Sequence, residues 1–479
     1  VEEAALSGGF FISTLLYLCT MYIQQLYTGC LSEAAYYIES NGEAAIIDPI
    51  RDIDEYLNLL SSRGATLKYI FETHFHADFV SGHLELSKAT GAPIVFGPET
   101  ETSYPVTVAH DGQVYSIGAC TLKVLHTPGH TLESCCYLLL NESGEPHAVF
   151  TGDTLFVGDV GRPDLSSGNL SSAELAALLY HSLEEKIKTL PDDVIVYPAH
   201  GPGSACGKNI GPKTESTIGE EKAGNYALKA ENKEAFIKAV TEGLLAPPDY
   251  FMLNARINKE GYEQLEAIRE KGLTPITPEA LHGWIKSERK LTILDTRPAS
   301  QFEEGFIPGS IFIGLEGRFA EWSGSLLPYD TDIVMVTEPG KEEEAVIRLA
   351  RVGFSRMIGC LQGGYEAWVK AGYAKDLLIT IEPDELMMDL PFDDHLLVLD
   401  VRKASEYDSG HLDEAENLPL ENMKDPGTMA MIEDTDNVYV YCAGGYRSMI
   451  ACSLLKKEGI HNIRNIAGGY KAISQLANS

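Results

Sequence analysis

Two stretches in the second half of the chain are written in the same order. The first runs Leu291-Thr292-Ile293-Leu294-Asp295-Thr296-Arg297, then Phe302-Glu303-Glu304-Gly305-Phe306-Ile307-Pro308-Gly309. The second runs Leu396-Leu397-Val398-Leu399-Asp400-Val401-Arg402, then Tyr407-Asp408-Ser409-Gly410-His411-Leu412. The copies close alike, on Gln362-Gly363-Gly364-Tyr365 and on Ala467-Gly468-Gly469-Tyr470. From Asp295 to Asp400 the period is about 105 residues, too long for a solenoid repeat. Apolar strands with no polar alternation belong to sheets buried on both faces, which parallel strands and helices provide. The repeat therefore predicts two tandem α/β domains with parallel sheets. The pattern changes near Thr274-Pro275, so a separate domain precedes them.

That earlier part alternates strands with helices. Tyr22–Tyr27, Ala34–Ile38 and Glu43–Pro49 read as strands, the last after the turn pair Asn41-Gly42. Ile53–Arg63 is a helix closed by Gly64, and Ser81–Thr90 a helix stopped by Gly91. Further strands are expected at Leu67–Phe71, Ile94–Phe96, Cys120–Leu125, Ser134–Leu140, Ala148–Phe150 and Val194–Tyr197, with a helix over Ser172–Thr189. Titratable residues sit just after four of these strands: His74, His76 and Asp78; His130; Asp153; and His200. One lone histidine is usually a satisfied polar residue. Four such segments at strand ends instead form a set that one sheet edge can gather, and histidine with carboxylate suits zinc or Fe(II).

With 37 Lys+Arg against 70 Asp+Glu, the formal charge is −33. Phosphate backbones and anionic membranes need a positive field, so neither nucleic acid nor membrane is an expected partner. Small anionic substrates remain open, since a few local cations can hold them. The nine cysteines are odd in number and contain no C-x-x-C, which reads as reduced thiols in a cytoplasmic protein. Residues 1–20 include the short apolar run Phe10–Thr20, but Glu2 and Glu3 precede it in place of basic residues. They are read as an upstream extension rather than a targeting segment. The expected divisions are 1–20, 21–272, 273–376 and 377–479.

The motifs H-x-H-x-D (His74–Asp78), T-P-G-H-T (Thr127–Thr131), G-D-T (Gly152–Thr154) and P-A-H-G (Pro198–Gly201), in this order, resemble the metallo-β-lactamase fold, an αββα sandwich. Glu72–His83, Gly158–Leu165 and Gly203–Lys208 are similar to the persulfide dioxygenases of that superfamily. The resemblance implies one Fe(II), with zinc as the alternative, held by His74, His130 and Asp153. Two histidines and a carboxylate on one face leave positions for O2 and substrate. It places His76 and Asp78 behind these ligands, to orient them or move protons, and His200 in the pocket lining. Arg162 matches an arginine used near the substrate's carboxylates; a structural salt bridge with Asp159 or Asp164 is the competing reading. Tyr197 is expected to line the same pocket. Cys206 is either a thiol that reacts with persulfide sulfur or a buried inert one. Phe79 stands where dizinc hydrolases have a histidine, which favours a single iron.

In the second repeat the strand Val438–Tyr441 runs into Cys442-Ala443-Gly444-Gly445-Tyr446-Arg447-Ser448 and then a helix. Loop amides, a helix N-terminus and a guanidinium all favour a thiolate and a bound oxyanion. This text resembles the rhodanese sulfurtransferases. The resemblance implies that Cys442 carries sulfur, with Arg447, Ala443, Gly444, Gly445, Tyr446 and Ser448 around the substrate. The first repeat reads Thr337-Glu338-Pro339-Gly340-Lys341-Glu342 at that place, without a cysteine, and resembles an inactive rhodanese. The full order is similar to persulfide dioxygenase–rhodanese fusions. Such a protein would oxidise a thiol persulfide with O2 to sulfite and thiol, and pass sulfane sulfur through Cys442 to or from sulfite and thiosulfate. The rival readings are a dizinc glyoxalase-II-like thioester hydrolase, a non-oxidative sulfurtransferase and a persulfide-binding protein. The additional domain surfaces suggest a homo-oligomer.

Overall fold

The structure is a computed structural model that describes residues 21–165, 170–244, 246–433 and 435–477. Residues 1–20, read above as an extension, lie outside the described residues.

Two six-stranded sheets form the first layer pair. One holds β1 (Tyr22–Thr28), β2 (Glu33–Ser40), β3 (Glu43–Ile47), β4 (Thr66–Phe71), β5 (Ile94–Phe96) and β6 (Thr107–Val108), side by side in chain order. The other holds β7 (Val114–Ile117), β8 (Cys120–His126), β9 (Cys135–Leu140), β10 (Pro146–Gly152), β11 (Ile195–Pro198) and β12 (Ser216–Thr217). Side chains alternate across a strand, and β2 shows what this does. Tyr36 and Ile38 point between the sheets, into a core shared with Phe71, Leu122, Tyr137 and Phe150. Ala35 and Tyr37 point outward, into a core shared with Tyr56, Leu60 and Leu86 of the helices Asp54–Arg63 and His83–Thr90. Leu179 of the helix Ser172–Ser182 covers the second sheet, against Val149 and Val196. The architecture is the expected αββα sandwich.

Local signals place the ends of these helices well. Gly64 takes φ 66° and closes the first, as a residue without Cβ can at little cost. Ser171 and Glu174 make a reciprocal capping box at the start of the third. That helix was expected to reach Thr189; it is α-helical to Ser182 and continues as a π-helical turn, Leu183–Ile187.

The repeat becomes two five-stranded parallel sheets. The first contains β13 (Pro275–Ile276), β14 (Leu291–Asp295), β15 (Ile311–Phe312), β16 (Asp332–Val336) and β17 (Met357–Leu361), in the order β13-β17-β16-β14-β15. The second contains β18 (Ile379–Ile381), β19 (Leu396–Asp400), β20 (Ala415–Asn417), β21 (Asn437–Tyr441) and β22 (Ile463–Ile466), in the matching order β18-β22-β21-β19-β20. The shared aspartate and arginine have one job in both. Arg297 chelates Asp295 and Arg402 chelates Asp400, and each guanidinium also reaches a carbonyl, of Gly305 and Gly410.

The first of the two repeats is docked on the sandwich by its helix Glu342–Arg351. Arg351 Nε donates to Asp52 at 2.8 Å, Val80 N–H donates to the Arg351 carbonyl at 2.7 Å, and Arg51 Nη1 donates to the Ala350 carbonyl at 3.3 Å. Among the described residues no helix is long and apolar enough to cross a membrane. Replacing Arg351 by alanine removes a charge-assisted pair from this contact and should cost about 2 kcal/mol. Calorimetry should then show a lower first unfolding transition; an unchanged profile would contradict the assigned role.

Candidate metal centre and cysteine loop

The four titratable segments do meet at one sheet edge, and backbone bonds pin them there. Cys135 N–H donates to the Thr73 carbonyl at 2.9 Å, Ala199 N–H to Gly152 at 3.1 Å, and Ala34 N–H to Ala199 at 2.8 Å. Gly152 has φ 51°, and a Cβ there would sit 2.5 Å from Thr73 Oγ1, so the G-D-T turn needs its glycine. Gly161 is packed as tightly: a Cβ would lie 1.9 Å from the Asp153 carbonyl.

Asp153 is the centre. Its Oδ2 lies 3.4 Å from His130 Nε2 and 3.8 Å from His74 Nε2, and its Oδ1 lies 3.5 Å from His200 Nε2. Neither oxygen accepts a hydrogen bond, and both are buried. The outer nitrogens explain why. His130 Nδ1 is 2.9 Å from the Arg162 carbonyl, and His200 Nδ1 is 3.2 Å from the Ser32 carbonyl. A carbonyl only accepts, so these Nδ1 atoms carry the protons, and a neutral ring then presents a lone pair at Nε2. Thr73 Oγ1 donates to Asp48 at 2.9 Å and accepts from His74 Nδ1 at 2.9 Å, with the same result. Burial, with His76, His130 and His200 nearby, holds His74 well below the ordinary histidine range, hence neutral. Lone pairs aimed at a buried, unpaired carboxylate are costly unless a cation sits between them. His74, His130 and Asp153 offer ligand atoms within 4.8 Å of one another, so these residues fit a metal ion.

A second triad, His76, Asp78 and His200, meets the same spacing. His200 Nε2 is 3.5 Å from Asp78, whereas His76 Nε2 is turned to Asp48 at 3.2 Å and Glu72 at 3.6 Å. Burial disfavours a charge on His76, but the Asp48 and Glu72 carboxylates outweigh it and raise its pKa to about 10. Phe79 is fully buried with its ring 4.3 Å from that of His76. The stretch Glu72–Phe79 is strapped from a distant helix, Tyr250–Glu260. Asn258 Nδ2 donates to the carbonyls of His76 and Phe79 at 2.8 Å, and its Oδ1 accepts from Ser81 N–H at 2.9 Å. Asn258, Thr73 and Asp48 were not among the expected site residues.

Several expectations change here. Arg162 does not face open pocket: its Nε and Nη2 chelate Asp164 at 2.7 and 2.8 Å, and Nη1 reaches the Ala205 carbonyl at 3.3 Å. Of the two acidic partners considered, Asp164 takes it, while Asp159 accepts from Lys208 N–H at 2.7 Å. Tyr197 is not brought to the cluster. The strand's alternation turns it between the sheets, stacked on Phe150 at 5.4 Å. Cys206 is buried beside Asp153 and His200; burial, Asp78 and Asp153 push its thiol well above the ordinary value.

At the other site Cys442 directly follows β21, and its Sγ accepts the Gly445 N–H at 3.1 Å. Gly445 has φ 106°, which turns the loop into the helix Tyr446–Lys457. Ala443 and Gly444 complete that turn. Ser448 Oγ lies 2.7 Å from Asn465, and Tyr446 Oη donates to the Gly314 carbonyl of the first unit at 2.9 Å. Arg447, expected on the substrate, is chelated by Glu406 at 2.6 and 2.8 Å. Register identifies the missing cysteine: Asp400 pairs with Tyr441 and Asp295 with Val336, so Thr337 stands where the second unit has Cys442. Cys360 is elsewhere, its Sγ 3.3 Å from the Gly272 carbonyl.

Comparison with known proteins agrees with this geometry. Residues 28–200 match the metallo-β-lactamase superfamily, and residues 277–371 and 382–476 each match the rhodanese-like domain. Mitochondrial persulfide dioxygenase ETHE1 of Homo sapiens is 33% identical over 198 residues, covering 41% of this chain and 70% of that protein. A probable hydroxyacylglutathione hydrolase of Schizosaccharomyces pombe is 31% identical over 181 residues, covering 36% of this chain and 66% of that protein. A solved metallo-β-lactamase of Staphylococcus aureus is 32% identical with a TM-score of 0.63, covering 72% of this chain and 98% of that one. The chain spans about half the length of the bacterial curated relatives it matches. It belongs to the metallo-β-lactamase superfamily. Over its N-terminal part it is a homologue of persulfide dioxygenase, and it carries two rhodanese-like domains behind that part.

Thr73→Val keeps the shape of the residue but removes the hydroxyl that fixes the His74 tautomer. Metal affinity should fall about 10- to 100-fold in chelator competition. Equal affinity would remove Thr73 from the site.

Proposed function

We propose that residues 21–272 form a non-haem iron persulfide dioxygenase, that 377–479 form a sulfurtransferase, and that 273–376 form a rhodanese-like unit without sulfur-transfer activity. The observation that carries the first assignment is the Asp153 carboxylate facing His74 and His130, with Phe79 in place of a further imidazole. His74, His130 and Asp153 would hold one Fe(II). When bound, Fe(II) supplies the redox capacity that O2 chemistry needs and that zinc lacks. A thiol persulfide, O2 and water give the thiol and sulfurous acid, which ionises to sulfite. The protein's part is orientation and exclusion of water: Thr73 and the Arg162 carbonyl fix the two imidazoles, and the cluster is buried.

At the second site the Cys442 thiolate attacks the sulfane sulfur of a persulfide. The S–S bond breaks and the thiol leaves. The sulfur lone pair of sulfite then takes the terminal sulfur from Cys442, releasing thiosulfate and the thiolate. The Gly445 amide and the N-terminus of the following helix favour the anionic forms of the sulfur. Arg447 must exchange Glu406 for the substrate, or steer it from that pair. Two sites on one chain raise the effective concentration of sulfite at Cys442. The substrates are thus a low-molecular-weight thiol persulfide, O2 and sulfite or thiosulfate, and the free thiols of Cys30, Cys135, Cys136, Cys206, Cys360, Cys442 and Cys452 suit a reducing cytoplasm.

The His76, Asp78 and His200 triad favours a second reading, a dizinc thioester hydrolase. Oxygen uptake separates the two. The chain loaded anaerobically with Fe(II) should consume O2 when given a thiol persulfide and release sulfite. His74→Ala should slow this more than about 100-fold, and Cys442→Ser should leave uptake intact while abolishing thiosulfate formation. Hydrolysis of an acyl-thiol without O2 uptake would establish the other reading.

A further inference from the structure

Compared position by position, the two rhodanese-like units separate what holds the fold from what serves the cysteine. The Asp295–Arg297 and Asp400–Arg402 chelates are present in both. A second carboxylate–guanidinium pair, Glu406–Arg447, is present in one. The helices Ala299–Glu304 and Ala404–Asp408 begin four residues after Asp295 and Asp400, which puts Gln301 where the second unit has Glu406. Glu342 lies five residues after Thr337, as Arg447 lies five after Cys442. The first unit therefore lacks the cysteine together with both members of the pair, and its Gln301 Nε2 donates to Glu338 at 2.9 Å instead. A pair that held the fold would be needed in both units.

The geometry of the pair indicates what it does to the loop. Arg447 Nη1 and Nη2 each donate to one Glu406 oxygen, at 2.6 and 2.8 Å, so the carboxylate covers the end of the guanidinium. A guanidinium has five N–H groups, and this chelate takes two. Nε makes no hydrogen bond among the described residues, so that side of Arg447 keeps its donors for an oxyanion while Glu406 stays in place. The Glu406 bonds, against the cost of burial, and then the charges of Cys442 and Glu421 raise the Arg447 pKa, so the Cys442 sulfur lies within electrostatic reach of the guanidinium. An anion held there also feels the Glu406 charge, which offsets much of the arginine's pull. Sulfite and thiosulfate are dianions, so the repulsion counts twice. With 18% of Arg447 and 35% of Glu406 exposed, solvent and salt weaken this effect without cancelling it.

We propose that Glu406 is a positioning residue that limits how tightly the cysteine loop holds a dianionic oxyanion, so that thiosulfate leaves once it has formed. It acts through Arg447, holding the guanidinium in place and neutralising part of its charge. The inference rests on the sulfurtransferase reading for the reaction. In that reaction the sulfite lone pair forms the new S–S bond, the bond to Cys442 breaks, and the Cys442 thiolate keeps the electron pair. Thiosulfate then has to leave before the next persulfide enters, and a guanidinium without its carboxylate would retain it.

The test is oxyanion protection of Cys442 in the full chain under argon, with sulfate as an inert dianion. Iodoacetamide, a neutral reagent, alkylates Cys442, and mass spectrometry of its peptide gives the rate at rising sulfate and constant ionic strength. The sulfate concentration that halves the rate should fall about tenfold in Glu406→Gln. It should stay within about twofold of the native value in Glu406→Asp, which keeps the charge. In an Arg447→Gln background, Glu406→Gln should produce no further change, because the effect runs through the guanidinium. A halving concentration that rises or stays put in Glu406→Gln overturns the proposal. So does an equal fall in Glu406→Asp, or a fall that persists without Arg447. In turnover with a thiol persulfide and sulfite, thiosulfate should inhibit Glu406→Gln about tenfold more strongly than the native chain; equal inhibition counts against the proposal. If the native chain forms no thiosulfate at all, the sulfurtransferase reading falls, and the protection experiment still decides the role of Glu406.

Discussion

The buried Asp153 carboxylate sets the terms for the N-terminal domain. It accepts no hydrogen bond, and three imidazoles turn their Nε2 atoms toward it. Each of those rings is locked by its other nitrogen, on Thr73, on the Arg162 carbonyl or on the Ser32 carbonyl. An apolar filling would not need these locks, and a charged cluster without a cation would work against folding. The sandwich is the scaffold that makes the arrangement repeatable. Its strands end at one edge, and interstrand amide bonds hold the four loops in register before any side chain contributes.

The two rhodanese-like units show how one fold is kept while the residue after its central strand changes. Both retain the strand order and the buried aspartate–arginine chelate beside the central strands. They differ at the position after the central strand, where one has Cys442 and the other Thr337. The unit with Thr337 at that position makes contacts of its own in the structure. Its helix Glu342–Arg351 docks on the sandwich, its Gly314 carbonyl anchors Tyr446 of the cysteine loop, and its Arg318 reaches the loop after His200. It thus contacts both the loop after His200 and the cysteine loop.

Much of this was legible in the residues. The apolar runs and the period from Asp295 to Asp400 led to two parallel sheets, because strands buried on both faces leave a strong mark. The cluster of His74, His130, Asp153 and His200 was legible because each residue follows a strand directly. What escaped depends on partners far away in the chain. Asn258 straps the stretch Glu72–Phe79 from about 180 residues downstream, and nothing local marks it. Arg162 could turn either to substrate or to an acid beside it, and only packing decides for Asp164. Tyr197 was misplaced by neglecting the pleat, which turns it between the sheets. The short strands β6 and β12 have two residues each, too few for a period to appear.

The central claim is that one cation, an iron, sits between Asp153 and its imidazoles. Metal content of the chain purified without chelators, read beside electron paramagnetic resonance of its nitric oxide adduct, addresses this directly. The account predicts one iron per chain and a signal from a single ferrous centre, both lost in Asp153→Asn. Two zinc ions per chain, retained in active protein with no nitric oxide signal, would contradict it.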